Sequence, residues 1–305
     1  MRHRIVLFGC LALAVGCKRS EQAPSPPPSA SAAAPKSSAA PVILRAPVAA
    51  GIPIEPAKIA AVVNSSNQPA WSGNAGTVHG LVTATGDPPP KQKLKDVPAG
   101  CERANEMYGT LFREGMMRSL ADVLVTVTEY KGYVPAREDV VTLAGSGCAW
   151  DRRTIAVTYG QRIDVVSKDK RTYMPQLLGG SKQAVLLAMP GGDPIPLYPS
   201  QPRVYHVMDA ANEFMVANVI VLRYATFAVT RLDGHYEIGG IPPGDVKVTA
   251  FLPAIMGIVE KKVSVPAGGN LKIDFEIPYA APPASAAQPA APTQRAGTKA
   301  PSPKP

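Results

Sequence analysis

Long helical periodicity is almost absent from this chain. From residue 76 onward the apolar side chains fall in short alternating or continuous runs, punctuated by Gly, Pro, Asp and Asn. Alternation places successive side chains on opposite faces of a strand, so short runs at this spacing predict an all-β fold, a Greek-key β-sandwich. The expected strands are Thr77–Ala84, Leu120–Glu129, Val140–Ala144, Thr154–Val157, Arg162–Ser167, Gln183–Ala188, Arg203–Met208, Met215–Leu222, Thr226–Thr230, Tyr236–Ile238, Val246–Phe251, Glu260–Val265 and Leu271–Ile277. One short helix is expected between Glu102 and Tyr108. Asp233-Gly234 suits a tight hairpin because both residues tolerate positive φ. Pro242-Pro243-Gly244 and Ala267-Gly268-Gly269-Asn270 separate the later strands.

Composition narrows the folded part. Residues 18–75 and 279–305 are dominated by Pro, Ala and Ser and lack the large apolar side chains that offset ordering entropy, so both are expected to be disordered. The net charge of +9 suggests nucleic acid at first sight. Residues 76–278, however, carry 22 Lys+Arg against 21 Asp+Glu, a net of +1. The basic excess therefore belongs to the leader and the arms, and no nucleic-acid partner is expected.

The N-terminus reads as an export signal. "MRHR" is a basic start, "IVLFGCLALAVG" is an apolar stretch too short to span a bilayer, and Cys17 follows. Ala14-Val15-Gly16-Cys17 resembles the lipobox of bacterial lipoproteins, with Ala14 where that family usually has Leu. The resemblance implies a lipoprotein signal peptide over residues 1–17 that is cut just before Cys17, lipidation of Cys17 with palmitate-type acyl chains, and a membrane anchor with the Pro-rich linker as an extended tether. Ordinary peptidase cleavage near Ala14 is the alternative. Lys18 stands where an Asp would signal inner-membrane retention, which favours the outer membrane. With Cys10 in the signal and Cys17 lipidated, Cys101 and Cys148 remain as an even pair in an oxidising compartment. A disulfide between them is expected, against two unpaired buried thiols.

Two further resemblances concern the folded part. Thr230, Asp233-Gly234, Tyr236, Ile238, Ile241-Pro242-Pro243-Gly244 and Val246/Val248 make residues 223–278 similar to the carboxypeptidase regulatory-like (transthyretin-like) β-domain, an accessory module without catalytic residues. "GTVHGLVTATGDPPP" and "LADVLVTVTEY" resemble its opening strands. Residues 131–222 of the preceding 76–222 sandwich are thus either nested within this domain or sequential to it. The run "GCAWDRRTIAVTYGQRIDVVSKDKRTYMPQL", followed later by a closing strand Val216–Leu222 with Met215 just ahead of it, resembles a cupredoxin (plastocyanin-like) domain.

A blue-copper centre needs two imidazoles, one thiolate and a distant thioether. Met215 stands at the thioether position. The first His position offers Thr172 or Tyr173, the thiolate position falls near Asp209 and the second His near Asn212. Three of four ligands are missing, so no metal and no cofactor are expected. The alternative is copper in a rebuilt His206, Met208, Met215 site, with Met174 as a further thioether; the plainer reading has the Met side chains as core. Asp209 with Asp193 or Glu213 shows no spaced Ca²⁺ loop. His79, His206 and His235 are far apart in sequence, and no nucleophile elbow, zinc-protease or phosphate-loop pattern occurs; "LAGSGC" at 143–148 reads as a turn before a strand. No catalytic residues are expected. The resulting expectation is a non-enzymatic, lipid-anchored cell-envelope module for an unknown protein or glycan partner; the alternative is a periplasmic copper-binding or redox protein of cupredoxin type. Glycan binding would require exposed aromatics on one face, and Trp71 lies at the linker boundary.

Overall fold

The computed structural model describes residues 51–180 and 185–282. In chain order the elements are helix α1 (Pro56–Val63), strand β1 (Gly76–Gly86), helix α2 (Ala104–Tyr108), β2 (Leu124–Thr128), β3 (Val140–Ser146), β4 (Ala149–Trp150), β5 (Thr154–Thr158), β6 (Arg162–Ser167), β7 (Pro175–Leu178), β8 (Ile195–Leu197), β9 (Val204–Asp209) and β10 (Val216–Leu222). The chain continues through β11 (Phe227–Val229), β12 (His235–Ile241), β13 (Gly244–Leu252), β14 (Gly257–Val265), β15 (Asn270–Lys272) and β16 (Phe275–Tyr279). The fold is all-β, as the alternation pattern requires, with two nested sandwiches.

The inner sandwich faces sheet β5-β10-β9-β7 against sheet β4-β3-β6-β8. Its core holds Trp150, Tyr173, Tyr205, Leu143, Ile163 and Met215. The outer sandwich faces β12-β1, with β15 and β16 both on the far edge of β1, against β11-β2-β13-β14. Val78, Val82, Phe112, Leu120, Tyr236 and Phe275 fill it. Strands β1 and β2 thus belong with β11–β16, and residues 140–222 are an insertion between the two parts of the outer sandwich. A linear border at 222 does not describe the molecule.

A third, small core joins the two. Leu124 on β2, Ala156 on β5 and Ile220 on β10 are buried together, with Phe227, Val229 and Phe251 packed around them. That contact explains why all five residues of β5 are buried while β14 alternates and stays largely exposed. A strand covered on both faces has no polar side to show.

The seam also carries a polar knot. Asp122 is almost fully buried and takes two hydrogen bonds from the Arg113 guanidinium, at 2.7 and 2.9 Å, and one from the Arg153 N–H at 3.0 Å. The Arg153 side chain donates to the carbonyls of Thr110 and Leu111. Burial pulls the Arg153 guanidinium below its usual range, and the Asp122 charge acts against that shift. The segment between β1 and β2 therefore links both cores, with Tyr108 in the inner and Phe112 in the outer.

Several expectations are corrected here. Residues 51–75 are not featureless linker: α1 forms with Pro at its start, and Ile54, Ile59, Val62 and Val63 pack on the inner core. Gly160, at φ +103°, leaves the space that Ile59 fills. The expected strand Gln183–Ala188 is not a strand where described; Ala188 makes one bridge to Tyr173, and residues 181–184 lie outside the described residues. The expected strand Leu271–Ile277 is two, β15 and β16, because Asp274 turns aside to accept the Leu81 N–H. Strands β4, β7 and β8 were too short to carry a period. Cys17, the leader, most of the first linker and residues 283–305 lie outside the described residues.

Candidate functional site

The loop from Asp209 to Met215 joins β9 to β10, a hairpin whose register is Met208 opposite Val216 and His206 opposite Asn218. Asp209 ends β9 with its side chain pointing inward, fully buried. One carboxylate oxygen accepts the backbone N–H of Ala211 at 3.1 Å, that of Asn212 at 2.8 Å and the Asn212 amide at 3.0 Å. The other accepts the Met174 N–H at 2.6 Å. A buried carboxylate is stable only when its charge is met by donors, and here four N–H groups meet it. Backbone bonds from Asp209 N–H to the Met215 carbonyl, and from Met215 N–H to the Asn212 carbonyl, close the loop on itself. The loop is an Asx-type turn organised around its own aspartate.

The residues expected near a copper position divide between two faces. Met215 is fully buried, continues the inward face of Ala217 and Val219, and its carbonyl accepts the Trp150 indole N–H at 3.0 Å. His206 and Met208 lie on the opposite, outward face of β9. The rebuilt set His206, Met208, Met215 therefore does not converge. Asp193 and Glu213 are exposed whereas Asp209 is buried. Among the described residues no three of His, Cys, Asp or Glu stand close enough to share a metal ion.

Of the two residues that the resemblance offered at the first His position, Thr172 is exposed and Tyr173 is core. The Tyr173 ring packs on Trp150 with centroids 5.7 Å apart, and its hydroxyl donates to Asp169 at 2.8 Å. It lies flat across β3 because residue 145 is glycine; a Cβ there would sit 2.9 Å from the ring. Burial and the bond to Asp169 push the Tyr173 hydroxyl well above its ordinary range. Burial alone would raise the Asp169 carboxyl, but donors from Gly147, Arg171, Tyr173 and Ser167 outweigh it and hold the group below the usual carboxylate value.

Cys101 and Cys148 form a disulfide, with Cα atoms 5.0 Å apart. The expected turn at "LAGSGC" is the hairpin between β3 and β4, where Gly147 and Cys148 both take φ +57°. Two successive positive φ values mark a type I′ turn, which Gly favours and Cys does not. The bond to Cys101 and a hydrogen bond from Cys148 N–H to the Tyr173 hydroxyl hold it there.

Around the Asp209 loop runs a groove that the sequence did not reveal. Its first part, about 610 Å³, lies between Lys93–Asp96 and Ala210–Phe214. Through the shared Leu94 and Phe214 it continues into a second part of about 340 Å³, past His206 and Asn218 to Pro253 and Ala254 of the outer sandwich. Lys93 and Lys95 face Asp96 and Glu213, so the rim is charge-balanced. The groove lacks any nucleophile with an adjacent base. On the outer sandwich, β-pairing brings His79 opposite Glu237 and one rung from His235, on the exposed face. That neighbourhood was invisible in a sequence where these residues are far apart.

No protein-family model and no curated protein sequence matches the chain. Solved structures similar to part of it include amicyanin from Paracoccus versutus, at 16% identity over 32% of this chain and 96% of that one, with a TM-score of 0.25. A pseudoazurin from Sinorhizobium is 18% identical over 27% of this chain and 72% of that one, TM-score 0.23. The copper-containing nitrite reductase of Thermus scotoductus is 14% identical over 31% of this chain and 24% of that one, TM-score 0.25. The all-β sandwich rests on the strand pairing itself.

Proposed function

We propose that this protein is a non-enzymatic module of the bacterial cell envelope, lipid-anchored through Cys17, exported to the outer membrane, and presenting the nested sandwiches to a protein or glycan partner without a resident metal. The Asp209 loop carries this reading. Where a cupredoxin-type site would need a soft, open ligand set, this chain has a carboxylate already filled by four N–H donors and a methionine sealed in the core. A binding role suits the remaining features: a rigid, cross-linked β-scaffold, a long groove and a Pro-rich tether expected to be extended.

The test is a titration of the purified mature protein with Cu(I) and Cu(II), beside His206→Ala and Met208→Ala variants. The expected result is no stoichiometric binding beyond what exposed imidazole gives. Tight one-to-one copper, lost in either variant, would overturn the reading and install the copper-binding alternative. Lipidation is checked separately by palmitate incorporation, expected in the wild-type chain and absent from Cys17→Ser.

A further inference from the structure

Trp71 is the aromatic that composition consigned to the linker, yet its backbone is fixed to the connection between β2 and β3. Its N–H donates to the Tyr133 carbonyl at 2.8 Å, within a bridge between Ala70 and Tyr133. The indole lies against two glycines: a Cβ on Gly73 would come within 2.8 Å of it and one on Gly132 within 3.2 Å. It nevertheless remains 39% exposed, where an indole free to pack would be covered. Tyr133 beside it is half-buried, and Tyr130 stands behind with its hydroxyl bonded to Thr226. Next along the chain, Lys131 and Glu129 open a cleft of about 600 Å³ that Asp245, Lys262 and Ser264 complete. Glu129 and Asp245 line it together with Lys131 and Lys262, and Lys247, paired to Glu129 at 3.3 Å and to Glu260 at 3.5 Å, keeps the charges balanced, so the cleft attracts neither a phosphate-rich nor a cationic partner. It offers donors and acceptors together.

We propose that Trp71 and Tyr133, with the Glu129–Lys131 cleft, form a binding surface for an uncharged β-linked glycan. Sugar rings present an apolar C–H face to an aromatic ring and hydroxyls that both donate and accept at their edge. This surface matches both, and the charge balance discriminates against anionic lipid and nucleic acid. The proposal rests on the binding-module reading and names its partner class.

The experiment is calorimetric titration of the full mature protein with chitohexaose and with cellohexaose, followed in parallel by intrinsic fluorescence. Trp150 is fully buried, so a saturable spectral change in this two-tryptophan chain reports Trp71. Saturable binding of at least one oligosaccharide is expected, weakened about tenfold in Trp71→Ala and in Tyr133→Ala and largely kept in Trp71→Phe. Unchanged melting of each variant establishes that it folds, and the exposed Lys131→Ala gives a further reading should Trp71→Ala not fold; it is expected to weaken binding severalfold. No saturable heat with either sugar, equal affinity in Trp71→Ala (or in Lys131→Ala where that variant stands in), or binding to anionic phospholipid vesicles instead would overturn the proposal. Its failure is separable from failure of the wider reading. Silent sugars with silent copper remove only the glycan, whereas tight copper removes the module reading whatever the sugars do.

Discussion

The two sandwiches solve the same packing problem with different means. The inner one is assembled from strands close in sequence and is fastened by a disulfide, an aspartate that organises a loop, and a tyrosine bonded to a second aspartate. In the outer one, β1 pairs with β12, β15 and β16. Among the described residues no disulfide fastens it, and alternation gives it a clean apolar interior. The difference teaches that fastening by side-chain chemistry concentrates where strands are short and irregular, such as β4 and β8, and that long regular strands such as β13 and β14 manage with their ladders.

The seam is the place to break the comparison altogether. Asp122→Ala would leave Arg113 buried and unpaired and is expected to cost about 3–5 kcal/mol. Denaturant melts should then show both sandwiches lost together, since the knot touches both. Two separate transitions would mean that the halves are independent. Replacing both Cys101 and Cys148 by Ser is expected to cost about 2–4 kcal/mol. Hydrogen exchange should rise in β3, β4 and α2 more than in β13 and β14; a uniform rise would show that the disulfide serves the whole molecule. Asp209→Ala, which strands several N–H donors, should cost about 1–3 kcal/mol and loosen the β9–β10 hairpin and the start of β7, where Met174 donates to it, while leaving the outer sandwich unchanged.

Acid sharpens the same contrast. The Asp169 carboxyl is held below its unfolded value, so its contribution is complete above that value and is lost as pH falls through the depressed one. Stability of the inner sandwich should therefore fall below about pH 4, and Asp169→Asn should flatten that dependence in an acid series of melts. The smallest effect concerns Thr154, whose hydroxyl is buried and without a hydrogen-bond partner. Thr154→Val should be neutral or stabilise by up to about 1 kcal/mol; a clear loss would mean that the hydroxyl is satisfied in solution.

Legibility in the sequence followed the same division. Period-two alternation located β1, β9, β12 and β13 within a few residues, because each has one face in a core and one outside. It was silent on β4 and β8, which have too few residues to alternate, and on α1, whose Ala-rich composition resembles linker until Ile59 is seen over Gly160. Cys101 and Cys148 were paired by counting, and the structure joins them. That no His or Cys stands between Asp209 and Met215 was also legible, residue by residue. What Asp209 does instead was not, since nothing in "MDAANEF" announces that the N–H of Met174, 35 residues earlier, returns to the carboxylate. The groove beside it is built from five separate stretches and has no sequence signature.

The nesting fixes an order of events. Once residue 222 has been synthesised, every strand of the inner sandwich is available and its partners are near. Strand β1, synthesised before all of them, has to wait: Thr83 meets Phe275 across 192 residues. Until then its edge is open to any other unpaired strand. The last strands of the chain therefore act as a completion signal. A copy cut short before β15 has every strand of the inner sandwich but shows an open β1 edge, and that edge marks an unfinished molecule off from a finished one.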